Sequence, residues 1–162
     1  MKLLIVRHGE PDYEHDSLTE KGWREAELLA DRLCRLNVKA FYMSPLGRAQ
    51  ATAKPTLERL GRQAEVLPWL HEFRGKVLDP MTGKDTISWD MMPKYWKNRP
   101  ELFDREAWRI NDLYATGNAG AIYDETAAGV DALLAKHGYV RDGGLYHSEA
   151  PNTDTIVLFC HL

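Results

Sequence analysis

Arginine and histidine residues occur at or near the ends of three apolar segments, where they could bind an anion. Arg7 and His8 directly follow Leu3–Val6, Arg48 comes shortly after a second apolar segment, and His161 follows a third. Ligands of parallel α/β sheets bind at the carboxyl ends of the strands, so we expect these side chains to meet there. Two arginines, two histidines whose charge depends on pH, and the amides of a helix N-terminus would suit a phosphate dianion.

Short apolar segments predict the strands that would position these residues. We expect strands over residues 3–6, 38–43, 64–70 and 155–160. The first is apolar throughout, which is typical of a strand covered on both faces. The strands alternate with helical patterns, so we expect an α/β fold: a three-layer sandwich with a mainly parallel central sheet and a helical insertion.

The helix next to the first strand has the clearest pattern. Apolar residues recur with a period of 3.6 over about residues 20–37, and Ser17 or Thr19 is available as the N-cap. Ser44 and Pro45 are expected to be the N-cap and the first-turn proline of a second helix, which would place Arg48 in its first turn.

Turn-forming residues predict where the other helices end. The second helix should run to Leu60 and Gly61, and Pro55 should kink or divide it. A further amphipathic helix is expected over residues 122–136. Residues 139–146 alternate around an Asp-Gly pair, which predicts a β-hairpin.

Residues 75–120 differ from the rest of the chain, because aromatic residues occur there among many polar ones without a strand pattern. We expect a helical insertion within a single domain of residues 1–162. Its aromatic residues have two interpretations: a lid that contacts the rest of a substrate, or a small core of their own. At helical spacing such residues more often pack than bind. The residues concerned are Trp89, Tyr95, Trp96, Arg99 and Trp108.

Composition excludes several classes of protein. The chain has 162 residues, 44% of them hydrophobic, and a net charge of −3, which indicates a globular protein without a global positive field for nucleic acid or anionic lipid. Its apolar runs are far shorter than the ~20 residues of a membrane span, and charged residues interrupt the N-terminal run, which favours the cytoplasm. Cys34 and Cys160 lack the spacing of a zinc site or a disulfide framework. The chain stops soon after the last strand, which suggests a missing C-terminal element.

Ordered motifs of the sequence resemble those of the histidine phosphatase superfamily, in its phosphoglycerate-mutase-like branch. The resemblance covers residues 1–72 and about 121–162, and it implies a phosphoglycerate-mutase-like fold. The motifs are Arg7-His8-Gly9-Glu10, Leu18-Thr19-Glu20-Lys21-Gly22, Ser44-Pro45-Leu46-Gly47-Arg48-Ala49, Leu70-His71-Glu72 and Cys160-His161.

The resemblance implies a metal-independent phosphomonoester hydrolase that needs no cofactor, acts on a small phosphorylated metabolite and releases inorganic phosphate. His8 would form a transient phosphohistidine, while Arg7, Arg48 and His161 would hold the phosphoryl oxygens. Glu72 would protonate the leaving group and then activate water. Rigid guanidinium groups match the charge that spreads over the equatorial oxygens during phosphoryl transfer.

Further residues are candidates for binding the rest of the substrate: Glu10, Ser17, Trp89 and Arg99. Glu10 has two alternative roles, since it could support the site residues or serve as the acid in place of Glu72. Pro11 stands where many members of the family have a hydroxyl residue, so one hydrogen bond to the phosphate is expected to be missing.

Two other functions remain open. A phosphoglycerate-type mutase would use the same residues and is the closest alternative. A catalytically silent phosphoryl-binding protein is the other, although binding needs only arginines and amides, so the nucleophile His8 argues against it. Neither cysteine begins a cysteine-phosphatase loop, and a Walker loop is absent.

Overall fold

The computed structural model describes residues 1–161, which divide into two compact units. One unit comprises residues 1–72 and the chain from residue 131 onward, and the other comprises residues 73–130. The helices are α1 (Glu20–Leu33), α2 (Gly47–Leu60) and α3 (Ala119–Lys136). The strands are β1 (Lys2–Arg7), β2 (Pro11–Asp12), β3 (Ser17–Leu18), β4 (Ala40–Met43), β5 (Glu65–Val66), β6 (Lys76–Leu78), β7 (Asp85–Ile87), β8 (Val140–Asp142), β9 (Leu145–His147) and β10 (Thr155–Cys160).

The first unit contains a four-stranded parallel sheet in the order β1-β10-β4-β5. The predicted strands at 3–6, 38–43 and 155–160 are confirmed. The predicted strand at 64–70 is reduced to β5, because a 3₁₀ turn at Pro68–Leu70 ends the extended backbone. The expected hairpin after α3 is present as β8 and β9.

Helices cover both faces of this sheet. Val157 and Phe159 of β10 pack with Leu33 of α1 and Ala53 of α2. The alternate residues of β10 point to the opposite face, where Ile156, Leu158 and Cys160 pack with Leu133 of α3. The sheet therefore lies between two helical layers, which confirms the expected three-layer α/β sandwich.

β1 is covered less than the sequence indicates. It pairs with β10 on one side and stands at the edge of the sheet formed by the described residues. The Leu3 and Ile5 side chains are 38% and 53% exposed. The expectation of a strand buried on both faces is therefore wrong, because an apolar run does not distinguish an edge strand from a central one.

The helix expected over residues 20–37 forms as α1, but it ends at Leu33. Of the two candidate caps, Thr19 is the one that acts, because its hydroxyl accepts a hydrogen bond from the Gly22 N–H at 3.1 Å. Ala26 and Ala30 on the predicted stripe are buried. The stripe therefore identified the buried face correctly but not the helix end.

α2 does not start as predicted. Its first residue is Gly47 and its N-cap is Leu46, so Ser44 and Pro45 precede the helix. The first N–H groups of the helix are capped by a residue far away in sequence: the Asp16 carboxylate accepts hydrogen bonds from the Gly47 and Arg48 N–H groups at 2.6 and 3.4 Å. The cap that was expected from the neighbouring residue Ser44 is thus replaced by the carboxylate of Asp16, which lies in the distant loop between β2 and β3.

α2 ends at Gly61 as expected, but it is not divided at Pro55 as the sequence had indicated. The helix is continuous through Pro55, and it stops at Gly61, whose φ of 58° is a left-handed conformation that glycine adopts readily. α3 begins at Ala119 rather than near residue 122 and ends at Lys136. None of the helices in residues 1–161 is long and apolar enough to cross a membrane.

The second unit contains short elements instead of long helices. β6 and β7 form an antiparallel hairpin, and between residues 93 and 116 the backbone makes 3₁₀ turns, two of which begin at Pro93 and Pro100. This hairpin was not indicated by the sequence. Tyr95, Trp96 and Trp108 pack around the buried residues of this unit, so they belong to a core of its own.

Candidate active site

His8 follows β1 directly and is only 6% exposed. Its backbone N–H donates to the Cys160 carbonyl, which extends the β1-β10 pairing to this residue. Its ring Nδ1 lies 2.7 Å from the Gly9 carbonyl oxygen. A carbonyl oxygen can only accept, so Nδ1 carries the proton and the neutral ring has its lone pair on Nε2. Nε2 is buried and has no hydrogen-bond partner among the described residues, which leaves it available as a nucleophile.

His161 follows β10 and lies beside His8, with 5.2 Å between the ring centroids. Its Nε2 is 2.9 Å from the Ser44 hydroxyl oxygen. Burial, assisted by the positive charge of Arg48, lowers the pKa of His161 to about 4. The ring is therefore neutral near pH 7 and does not supply the pH-dependent positive charge that the sequence indicated.

Arg48 lies in the first turn of α2 and is buried. Its guanidinium forms two ion pairs, with the Asp16 carboxylate at 2.8 Å and with the Glu72 carboxylate at 2.6 Å. Its buried Nε has no hydrogen-bond partner within residues 1–161. The arginine that was expected to hold a phosphoryl group is thus bound by two carboxylates.

Asp16 is a site residue that the sequence analysis missed. Its φ of 44° is unusual for a residue other than glycine, although aspartate and asparagine adopt such values more often than most. Burial acts to raise the pKa of Asp16, but hydrogen bonds from the Gly47 N–H and from Arg48 outweigh it and lower the pKa. Asp16 therefore remains a carboxylate that both caps α2 and fixes the Arg48 side chain.

Thr52 is a second residue that the sequence analysis missed. Its buried hydroxyl donates to the Arg48 carbonyl at 2.8 Å and accepts from the Gly9 N–H at 3.0 Å. This hydroxyl ties the loop after His8 to the first turn of α2. The signal was its position four residues after Arg48, where a threonine hydroxyl reaches the preceding turn of the helix.

Three other predicted residues lie outside this cluster of contacts. Arg7 is exposed and forms no ion pair within residues 1–161. Glu10 accepts hydrogen bonds from Thr19 and Lys21, which lower its pKa. Ser17 lines a cavity of about 710 Å³ alongside α2, and His8 is not among the residues that line it. The structure brings together His8, Arg48, Glu72 and His161. Among the described residues, the side chains of Arg7, Glu10 and Ser17 form no hydrogen bond or ion pair with this group.

Trp89 and Arg99, the predicted lid residues, belong to the second unit. Trp89 is exposed, and Arg99 is bound within its own unit, where its guanidinium donates to Asp112 and, at 3.3 Å, to the Asn111 side chain. Their role in binding a substrate remains a prediction.

The first unit has chemistry suited to a tetrahedral oxyanion. The His8 and His161 imidazoles lie side by side. The Arg48 guanidinium lies close to His161 and contacts the Glu72 carboxylate directly. Among residues 1–161, no group of three or more His, Cys, Asp or Glu side chains could hold a metal ion. This fold and this site define an α/β protein whose histidine and arginine side chains could bind an oxyanion such as a phosphoryl group.

Comparison with known families agrees with this class. The model of the histidine phosphatase superfamily (branch 1) matches residues 3–139, and the chain belongs to this superfamily. Over 148 residues the chain is 26% identical to phosphoserine phosphatase 1 of Hydrogenobacter thermophilus. This alignment covers 85% of the chain and 66% of that protein. Over 65 residues the chain is 40% identical to a 2,3-bisphosphoglycerate-dependent phosphoglycerate mutase of Thermoplasma acidophilum. This alignment covers 33% of the chain and 32% of the mutase.

Solved structures have the same fold. The mycobacterial glucosyl-3-phosphoglycerate phosphatase superimposes with a TM-score of 0.57 at 22% identity, covering 98% of this chain and 73% of that one. A putative alpha-ribazole-5'-P phosphatase from Escherichia coli gives a TM-score of 0.57 at 19% identity, covering 99% of this chain and 73% of that one.

Proposed function

We propose that this protein is a metal-independent phosphomonoester hydrolase that acts through a phosphohistidine at His8. The observation that carries the proposal is the state of the His8 ring. The Gly9 carbonyl holds the proton on Nδ1, and the buried Nε2 has no hydrogen-bond partner among the described residues. A structural histidine would be expected to satisfy both ring nitrogens, whereas a nucleophile needs a free lone pair.

In the first step, Nε2 of His8 attacks the phosphorus atom of a phosphate monoester. The N–P bond forms as the bond from phosphorus to the ester oxygen breaks. Glu72, which takes up a proton from the incoming phosphate monoanion when that group displaces it from Arg48, donates this proton to the ester oxygen. Arg48, His161 and the exposed Arg7 would hold the phosphoryl oxygens. In the second step, Glu72 removes a proton from water, the water oxygen attacks phosphorus, and the N–P bond breaks to release inorganic phosphate.

The Glu72-Arg48 ion pair gives this mechanism a particular feature. The Arg48 group that donates to Glu72 at 2.6 Å is also a donor that a phosphoryl oxygen could use. An incoming phosphoryl group would therefore compete with Glu72 for the guanidinium and release the carboxyl group beside the leaving-group oxygen. Binding would thus place the proton donor where the chemistry needs it.

The substrate class we propose is a small phosphorylated metabolite, in line with the names of the related phosphatases. Within the chain, Ser17 next to the cavity along α2 is the proposed contact for the organic part of the substrate. Trp89 and Arg99 remain further candidates, and Glu10 is proposed to support the loop that carries Thr19.

The decisive experiment is a screen of phosphate monoesters, including an aryl phosphate, in the presence of a chelator. We expect hydrolysis by the wild-type protein and its loss in His8→Ala. The matched control is His147→Ala, because His147 is an exposed histidine on β9. Trapping of a phosphorylated protein that is stable in base and labile in acid would identify the intermediate. Activity that disappears with the chelator, or that survives His8→Ala, would contradict the proposal.

A mutase is the second candidate, because a 65-residue segment is 40% identical to part of a phosphoglycerate mutase. It requires the same nucleophile but must protect the phosphohistidine from water. With 3-phosphoglycerate and catalytic bisphosphoglycerate we expect little 2-phosphoglycerate. Rapid isomerisation would favour the mutase instead.

A further inference from the structure

Ser44 occupies a position between the backbone of β10 and the ring of His161. It follows β4, and its N–H donates to the Phe159 carbonyl at 2.9 Å, two positions before His161. Its side chain is 0% exposed. Its hydroxyl oxygen accepts from the Leu46 N–H at 3.2 Å and lies 2.9 Å from Nε2 of His161. A serine that is not the cap of α2 is therefore held rigidly against an imidazole of the site.

The positions of the protons follow from these contacts. A serine hydroxyl has one proton and two lone pairs, and the Leu46 N–H occupies one lone pair. Because Ser44 is buried, its proton needs an acceptor, and Nε2 of His161 is the acceptor within reach among the described residues. The ring of His161 is neutral near pH 7, so one of its nitrogens carries a lone pair. The hydroxyl proton thus points to Nε2, and the ring proton is on Nδ1.

The Nδ1 atom of His161 is then a hydrogen-bond donor without an acceptor. It is buried and has no hydrogen-bond partner among residues 1–161. Buried donors of this kind are rare in proteins because each one loses its hydrogen bonds to water. An N–H group in this state beside the free Nε2 of His8 is suited to an oxygen atom of a ligand.

We propose that Ser44 is a positioning residue that fixes His161 in the Nδ1–H tautomer, so that His161 presents this proton to a phosphoryl oxygen. This inference rests on the proposed function of His8. The two histidines then have the same tautomer but opposite roles: His8 presents a lone pair on Nε2, and His161 presents a proton on Nδ1. With its Nε2 lone pair engaged by the Ser44 hydroxyl, His161 does not compete with His8 as a nucleophile.

The groups that act on His161 from neighbouring elements make a neutral donor reasonable. Arg48 and His8 oppose a positive charge on the ring, Glu72 favours it, and His71 opposes it weakly. Without Ser44, nothing in these contacts would select Nδ1 over Nε2 as the protonated atom. The Ser44 hydroxyl therefore determines which ring nitrogen of His161 carries the proton, which the surrounding charges do not.

Nitrogen-15 NMR of histidine-labelled protein near pH 7 tests this assignment directly, because protonated and unprotonated ring nitrogens have distinct chemical shifts. The His161 signals are identified by their absence in His161→Gln. We expect a protonated Nδ1 and an unprotonated Nε2 in the wild-type protein and in Ser44→Thr, which keeps the hydroxyl. In Ser44→Ala we expect averaged shifts that indicate a mixture of tautomers.

The same variants are compared for binding of inorganic phosphate by calorimetry. Ser44→Ala should bind roughly tenfold more weakly, which corresponds to the loss of one well-oriented hydrogen bond, and Ser44→Thr should restore binding. The control is Thr56→Val, which removes another buried hydroxyl without changing this contact. The control should retain the wild-type tautomer.

The outcomes separate this inference from the proposed function. A wild-type His161 with its proton on Nε2, or shifts that Ser44→Ala leaves unchanged, would overturn the role of Ser44. A protonated Nδ1 that depends on Ser44 would support it even if no phosphate monoester were hydrolysed, and in that case the proposed function alone would fail.

Discussion

The guanidinium of Arg48 is shared by Asp16 and Glu72, so two carboxylates occupy donors that a phosphoryl group would need. The three groups together carry a net charge of −1, whereas the sequence indicated a pocket with an excess of positive charge. Release of Glu72 would leave Arg48 and Asp16 with a net charge of zero, to which the negative charge of the substrate is then added. In the proposed mechanism, substrate binding and proton donation are therefore linked through the Arg48 side chain.

The first prediction concerns Glu72. In Glu72→Gln, inorganic phosphate should bind at least as tightly as in the wild-type protein, because the competing charge is gone. The kcat for an alkyl phosphate should fall by roughly 10²–10⁴, the usual contribution of a general acid, while an aryl phosphate with its better leaving group should lose much less. Steady-state kinetics with both substrates measures the difference.

Glu65→Gln is a suitable control for this comparison, because Glu65 is an exposed carboxylate that pairs with Lys136. Equal losses for the alkyl and the aryl phosphate would show that Glu72 acts in some way other than protonating the leaving group.

The second prediction follows from the low pKa of His161. Its pKa of about 4 in the folded protein is below the reference value of about 6.5, so the unfolded chain binds more protons between these values. The free energy of unfolding should therefore decrease as the pH falls from about 6.5 to about 4. This contribution should be on the order of 1–2 kcal/mol, allowing for the partial exposure of the ring.

Urea unfolding at about pH 7 and about pH 4.5 measures this contribution. In His161→Gln the difference between the two pH values should shrink, and in the control His147→Gln it should match the wild-type difference. An unchanged difference in His161→Gln would mean that the folded protein tolerates a charged His161.

At the scale of the element, α2 depends on a carboxylate from another part of the chain. Asp16 is 31 positions before Gly47 and accepts hydrogen bonds from the first N–H groups of the helix. The end of this helix that carries Arg48 is therefore formed only when the loop between β2 and β3 is folded against it. The cap and the site are one structural feature.

The third prediction tests this cap. Asp16→Ala should reduce the free energy of unfolding by about 1–2 kcal/mol, the usual cost of removing a cap. Asp16→Asn should cost less, because asparagine also accepts hydrogen bonds and also adopts positive φ. Urea unfolding should show a lower midpoint at an unchanged m-value. Glu14→Ala, an exposed change in the same loop, should have little effect.

Asp16→Asn should in addition bind inorganic phosphate more tightly than the wild-type protein, because one of the charges that compete for Arg48 is removed. Weaker binding would show that the charge of Asp16 is needed to orient the guanidinium.

The local pattern of the sequence was sufficient for some elements and insufficient for others. The apolar segment at Thr155–Cys160 and the stop at Gly61 depend on neighbouring residues alone, and both were predicted correctly. The Asp16 cap could not be predicted, because it depends on a contact between distant segments. Ser44 was misassigned for the same reason: its side chain resembles a helix cap, but its partner is His161.

The second unit shows a different limit. Its aromatic residues have no regular period because they pack from 3₁₀ turns and a hairpin, in which few neighbouring residues share a face. Packing of Tyr95, Trp96 and Trp108 agrees with one of the two interpretations of these residues. The sequence predicted their burial better than their secondary structure.

At the scale of the whole molecule, the net charge of −3 means that phosphate must be bound by local contacts. The fourth prediction is that inorganic phosphate raises the thermal stability of the protein. At a concentration 100 times its Kd, it should add about 2.7 kcal/mol. Arg48→Met should lose this effect, and chloride at equal ionic strength should not reproduce it. Equal stabilisation by both salts would indicate a general ionic effect.

The position of β1 at the edge of the sheet has a practical consequence for handling this protein. His8, the proposed nucleophile, follows a strand whose Leu3 and Ile5 side chains are exposed and whose outer backbone groups pair with no other strand within residues 1–161, so an extended peptide could pair with them. An affinity tag fused before Met1 would lie next to that strand. It should alter turnover or promote self-association. Because the Met1 amino group donates hydrogen bonds to the Tyr139 hydroxyl at 2.8 Å and to the Asn152 carbonyl at 2.5 Å, the fusion should also lower the melting temperature, so purification handles are best tested by both kinetics and stability.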